Sequence, residues 1–207
     1  MFDQAIDKKT KRVFEKIAQT PIAKNFYLAG GTALALQLGH RKSIDLDWFC
    51  QNDFSNAEIK NQLASIGHLD IRSEDEGTIH GQLDGINITF LRYRYDQLFP
   101  FVVFNHANLS DERDISAMKI DAMSTRGSKK DFIDIYFLLE KYLLADLIGF
   151  FKKKFKKISY NKLHILKSLA YFEDAENDPM PIMLKENDWK KVKEKIVRET
   201  AKYLDSL

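Results

Sequence analysis

Residues 26–49 read FYLAGGTALALQLGHRKSIDLDWF, and this stretch decides how the chain folds. Phe26-Tyr27-Leu28-Ala29 is short, apolar and aromatic, as a buried strand is. Gly30-Gly31 breaks it, and Thr32 to Leu38, rich in Ala and Leu, starts a helix. After the polar turn His40-Arg41-Lys42-Ser43, the run Ile44-Asp45-Leu46-Asp47-Trp48-Phe49 alternates strictly, which predicts a second strand with both aspartates on one face. Strand, glycine turn, helix and acid-bearing strand thus follow one another within 24 residues.

Upstream, Ile6, Val13, Phe14 and Ile17 recur at helical spacing, which predicts a helix over 3–18 that stops at Thr20-Pro21. Downstream, Ser55-Asn56-Ala57-Glu58 is a capping box that opens a helix to about Ile66. The period then changes to two. Segments 68–73, 78–83 and 86–91 alternate, and the turns between them carry Glu76-Gly77 and Asp84-Gly85, so an antiparallel meander is expected. From Asp111 the pattern is helical, over about 111–124, 129–144, 146–157, 160–173 and 187–206, with Asp178-Pro179-Met180-Pro181 as a loop. The expected organisation is an α+β half, 1–105, followed by an all-helical half, 106–207.

A chain of 207 residues suits one domain or slightly more. Its 32 basic and 30 acidic groups leave a formal charge of +2, which excludes a uniformly basic polyanion binder. The balance is uneven along the chain. Residues 1–110 carry 12 basic and 13 acidic groups, while 147–172 hold seven Lys and no acid. The single Cys50 excludes an internal disulfide and a cysteine-based zinc site, as expected for a reducing cytoplasm. The first residues lack a leader pattern, and no apolar run approaches membrane-spanning length, so no membrane partner is expected. The five histidines show no ligand spacing.

Each part of the 26–49 stretch suits phosphate chemistry. Glycines at a strand-to-helix turn let backbone approach a phosphate, and helix-start N–H groups favour an anion. Thr32 adds a hydroxyl. Aspartates at i and i+2 on a strand lie ~6.6 Å apart along the chain and point the same way, as ligands for metals that bridge phosphates must. A lone Gly-Gly is usually a turn and a lone Asp-x-Asp usually surface charge; their combination at this spacing is far more specific. Gly39-His-Arg-Lys-Ser43 has the tail of a P-loop but lacks its upstream glycine.

Gly30-Gly31, thirteen intervening residues and Asp45-Leu46-Asp47 resemble the nucleotidyltransferase signature of the DNA polymerase beta superfamily. More narrowly, residues 28–34 and 40–49, Asp114-Ile-Ser-Ala-Met-Lys119 and Arg126-Gly-Ser-Lys-Lys-Asp131-Phe-Ile-Asp134 resemble the AbiEii/AbiGii family, nucleotidyltransferase-like toxins of bacterial toxin–antitoxin and phage-resistance systems. The resemblance implies a nucleotidyltransferase-like mixed β-sheet with helices. It also implies Mg2+ or Mn2+ on Asp45 and Asp47, an NTP substrate cradled by Gly30, Gly31 and Thr32 with help from Arg41 and Ser43, and a site completed by Lys119 and Asp131. A cognate antitoxin is implied as well.

The residues add their own qualifications. Arg126 follows Lys119 by seven residues, about two turns, which puts both cations on one helix side suited to phosphates. Ser128 to Asp131 is also a capping-box pattern, and Asp131 with Asp134 could pair with Lys119 or Arg126. The family's third carboxylate falls at Thr89, with Asp70 as the alternative. A hydroxyl cannot replace that charge. The lysines between 152 and 167, interleaved with Phe150, Phe151 and Phe155, read either as a track for RNA such as tRNA or as a solvated helix face. Two functions follow: a nucleotidyltransferase acting on an RNA or protein hydroxyl, or a catalytically silent nucleotide- or RNA-binding module.

Overall fold

A computed structural model describes residues 1–206. It divides into two compact units. The first comprises Met1–Asp96 and Pro100–Asp111; the second comprises Gln97–Phe99 and the chain from Glu112 onward. The first unit therefore extends past residue 105, because two further strands join its sheet.

In the first unit, a 3-10 turn at Asp3–Ala5 precedes α1 (Lys8–Ala18), α2 (Ile22–Asn25), β1 (Tyr27–Leu28), α3 (Gly30–Leu38), β2 (Leu46–Cys50) and α4 (Asn56–Ala64). The meander follows as β3 (Leu69–Asp75), β4 (Thr78–Leu83) and β5 (Ile86–Arg92). The hairpin β6 (Val102–Phe104) and β7 (Ala107–Leu109), turned at Asn105 and His106 with positive φ, completes it. The seven strands form one mixed sheet in the order β3-β4-β5-β2-β1-β7-β6. β2 runs parallel to β5, and β1 parallel to β7; the other pairs are antiparallel.

The alternation in β2 decides the faces. Leu46 and Trp48 are fully buried, whereas Asp45 and Asp47 keep partial exposure on the opposite side. The Trp48 ring stacks between Phe14 of α1 at 5.7 Å and Phe90 of β5 at 6.3 Å. Val13, Phe14 and Ile17, the apolar stripe read in the sequence, are the side of α1 laid against this core. Burying such side chains is worth about 1.5–3 kcal/mol each, which holds β2 firmly from beneath.

The second unit contains α5 (Glu112–Thr125), α6 (Lys129–Leu138), α7 (Leu144–Lys154), α8 (Lys162–Leu169), α9 (Glu173–Glu176) and α10 (Trp189–Asp205). α5 is its central helix and is buried on most of its circumference, including Asp114, Ser116 and Lys119. The strap Gln97–Phe99 belongs here. The Asp114 carboxylate accepts from the N–H groups of Leu98, at 3.0 Å, and Phe99, at 2.9 Å, while Lys154 pairs with it at 2.8 Å. Both charged side chains are wholly shielded from solvent. The Arg113 guanidinium lies 3.7 Å above the Phe99 ring.

Candidate functional site

The glycine pair has a specific tertiary reason. Gly30 has φ +65°, a conformation costly for residues with a Cβ, and a Cβ there would come within 2.8 Å of Asp47 Oδ2. The carboxylate of Asp47 thus lies against the first turn of α3, where unpaired N–H groups and the helix dipole favour negative charge. A Cβ on Gly31 would meet Arg41 Nη2 at 2.6 Å. Arg41 is 3% exposed, so its guanidinium fills the space that the missing side chain leaves.

Thr32 and Ser43 act on the loop before β2. Thr32 is 1% exposed; its hydroxyl bonds the backbone oxygen of Asp45 and lies 2.8 Å from Ser43 Oγ. With one proton, it donates to that carbonyl and accepts from Ser43. Ser43 in turn donates its N–H to Ala5 O at 2.8 Å. These contacts hold the segment from which Asp45 and Asp47 project. Gly30, Gly31, Thr32, Arg41, Ser43, Asp45 and Asp47 are therefore brought together at one end of β2.

Beside them stand Asn87, Gln82 and His80, which the sequence did not single out, and Thr89, which it did. Asn87 Nδ2 donates to Asp45 Oδ1 at 2.9 Å, and Gln82 Nε2 donates to Asn87 Oδ1 at 2.8 Å. One register step along, Thr89 is the partner of Asp47, and His80 Nδ1 lies 3.3 Å from Thr89 Oγ1. Two rows of side chains thus cross the exposed face of the sheet, and the β5 residues in them, Asn87 and Thr89, are neutral. The signal was present as alternation in β4 and β5, but only the parallel β2–β5 register says which of their polar residues meet Asp45 and Asp47. Asp70 is not among them. It lies on β3, where it pairs with Gln82 of β4, and β3 is three strands from β2, or roughly 14 Å at the usual strand spacing.

Among the described residues, no group of three or more His, Cys, Asp or Glu is placed to hold a metal ion. Asp45 and Asp47 nevertheless fit Mg2+ of one kind. That cation keeps several waters and is usually held by one or two carboxylates together with substrate phosphates. The pair suits a metal that arrives with a polyphosphate better than a free ion.

In the second unit, Lys119 Nζ lies 2.7 Å from Asp131 Oδ1 and 2.7 Å from Asp134 Oδ2. Asp131 Oδ2 accepts from Ser128 Oγ at 2.6 Å and from Ser128 N at 3.3 Å, so this carboxylate caps α6 and pairs with Lys119 at once. Lys119 is 7% exposed, whereas Arg126 follows the end of α5 and is exposed; the two cations stand in different surroundings. The lysine cluster is also divided. Lys154 is buried against Asp114, while Lys153, Lys156, Lys157, Lys162 and Lys167 are exposed and Lys152 is half-buried.

The family model described as "Nucleotidyl transferase AbiEii toxin, Type IV TA system" matches residues 12–102 and 111–206. The uncharacterized protein aq_aa25 of Aquifex aeolicus (strain VF5) is 35% identical over 207 residues, covering 97% of this chain and 98% of that protein. Two solved structures share the fold. A putative nucleotidyltransferase from Helicobacter pylori superposes with a TM-score of 0.60 at 18% identity, over 97% of this chain and 95% of that one. MenT4, a nucleotidyltransferase toxin from Mycobacterium tuberculosis H37Rv, does so with a TM-score of 0.61 at 12% identity, over 93% and 82%. Among the described residues no helix is long and apolar enough to cross a membrane.

Proposed function

Because the chain belongs to the AbiEii nucleotidyltransferase toxin family, we propose that it transfers NMP from an NTP, with Mg2+, to a hydroxyl of an RNA such as tRNA or of a protein. Pyrophosphate is released, and a cognate antitoxin restrains the reaction. The observation that carries this reading is the Asp45–Asp47 pair, held at the start of β2 beside the glycine-started helix α3.

In this reading the two aspartates are the metal ligands, and the metal supplies charge neutralisation at the phosphates. Asn87 fixes one oxygen of Asp45, so the carboxylate is oriented before substrate arrives. Gly30 and Gly31 let the Asp47 carboxylate and the Arg41 guanidinium close on the start of α3, so a phosphate bound at that helix start meets a guanidinium that matches its geometry. Thr32 and Ser43 hold the loop that carries Asp45. Lys119 steadies phosphate charge, with Asp131 and Asp134 orienting its ammonium, and Asp131 is the candidate acceptor for the hydroxyl proton. Arg126 is a further phosphate contact, and the exposed lysines between 152 and 167 track an RNA backbone.

The test incubates the protein with each labelled NTP, total tRNA and Mg2+. Label should move to RNA, and Asp45→Ala plus Asp47→Ala should abolish it; transfer that survives the double substitution overturns the metal assignment. A second reading, a silent nucleotide- or RNA-binding module, is favoured by one observation: Thr89, not an acid, is the register partner of Asp47. Calorimetric NTP binding without turnover on any acceptor would select it.

A further inference from the structure

A cavity of about 330 Å3 lies in the second unit between the C-terminal end of α5 and the segment from α8 to α9. His164, Lys167 and Ser168 share one face of α8 and line it, and Tyr171, just past the helix, lines it too. His164 Nε2 donates to Ser124 O at 2.8 Å, since a carbonyl can only accept, and this bond ties α8 to the end of α5.

The lining has three chemically distinct parts. Tyr171 is 56% exposed, an aromatic ring offered to solvent at the rim. Lys167 is exposed beside it, and exposed Arg126 stands between the lining residues Thr125 and Gly127. Acceptors make up the third part: Asp174 and the last turn of α5, whose closing carbonyls carry partial negative charge. A ring for stacking, cations for a backbone and acceptors for exocyclic amines are the features by which unpaired bases are held. The volume is near the lower end of small-ligand sites, ~300 Å3, which suits one nucleotide.

We propose that this cavity takes one unpaired nucleotide of an RNA strand, with the base stacked on Tyr171, its amino edge toward Asp174 and α5, and its phosphate on Lys167. The inference rests on the nucleotidyl-transfer reading for the choice of RNA over protein, and exposed Lys162, on the same helix as Lys167, supplies further matching positive charge.

The experiment measures binding of a short, unstructured, fluorescein-labelled RNA by anisotropy, without NTP or Mg2+. Tyr171→Ala should weaken binding roughly fivefold to a hundredfold, the range for one stacked base, while Tyr171→Phe leaves it unchanged. Lys167→Ala should weaken binding and flatten the dependence of log K on log salt by about 0.7. Unchanged affinity in Tyr171→Ala overturns the proposal, as does a Tyr171→Phe protein that loses as much as Tyr171→Ala. A second measurement needs no variant: RNA carrying 4-thiouridine, irradiated with the wild-type chain, should crosslink to the peptide containing residues 164–171. Failure to crosslink there, or displacement of that crosslink by free NTP, overturns an RNA strand as occupant. Label transfer is read separately, so crosslinking without transfer sinks only the catalytic reading, and transfer without crosslinking sinks only this subsite.

Discussion

At Gly30 two demands meet in one residue. Its φ of +65° excludes most side chains, and the space where a Cβ would stand is taken by Asp47 Oδ2. Gly31 has only the second demand, toward the end of the Arg41 side chain. Gly30→Ala should therefore cost more stability than Gly31→Ala, by about 1–2 kcal/mol of backbone strain, and should displace Asp47. Thermal unfolding of the two variants side by side checks this; equal losses would show that the positive φ at position 30 carries no special cost. Cys50 gives a residue-scale prediction in pH. Burial pushes its thiol up from 9.0 to about 11, with Arg92 opposing weakly. The protonated thiol is thus favoured by folding, so its contribution is complete below pH 9 and is lost as pH rises toward 11. Alkylation by iodoacetamide near pH 9 should be slow in the native protein and fast after unfolding, and equal rates would contradict the burial.

Strand β5 is the element that decides the chemistry available beside β2. Its outward residues beside the two aspartates are Asn87, which donates to Asp45, and Thr89, the register partner of Asp47, where a third acid would add metal affinity. Thr89→Asp should let Mn2+ or Mg2+ bind measurably without nucleotide, whereas the native chain should bind the ion well only together with an NTP. Calorimetry with and without a non-hydrolysable NTP tests both halves; ion binding unaltered by Thr89→Asp would mean that the register does not bring position 89 into the site. Helix α6 shows how local and distant roles combine. The pattern at Ser128–Asp131 announced a cap, and the cap forms, but the same carboxylate also pairs with Lys119 from α5. Removing Lys119 would leave two buried carboxylates facing each other, so loss of activity in a Lys119 variant has to be read beside its stability.

Across the whole molecule, the chain enters the second unit at Gln97–Phe99 before it crosses for good at Glu112. The buried Asp114–Lys154 pair holds that strap through two backbone N–H groups. Asp114→Ala should destabilise the protein by about 3–5 kcal/mol, because it removes the buried carboxylate that an ammonium and two amides share. Replacing both partners, Asp114→Leu with Lys154→Met, should cost clearly less than the two single changes added together. Urea unfolding of the native chain, Asp114→Ala, Asp114→Leu, Lys154→Met and the double change measures this, and simple additivity would contradict a coupled pair.

What the sequence determined by itself was local. The glycine turn, the alternation that puts Asp45 and Asp47 on one face, the helix caps at Ser55 and Ser128 and the helical periods all depend on residues a few positions apart, where backbone geometry alone relates side chains. Only the tertiary structure decided which strands pair. Asn87 reaches Asp45 across 42 positions, Asp70 ends three strands away, and the hairpin β6–β7, too short to announce itself, carries the first unit past residue 105. It likewise decided that Lys119 and Lys154 are buried, because α5 and the end of α7 are covered from several sides, and a charge pattern along one helix cannot say what will pack over it.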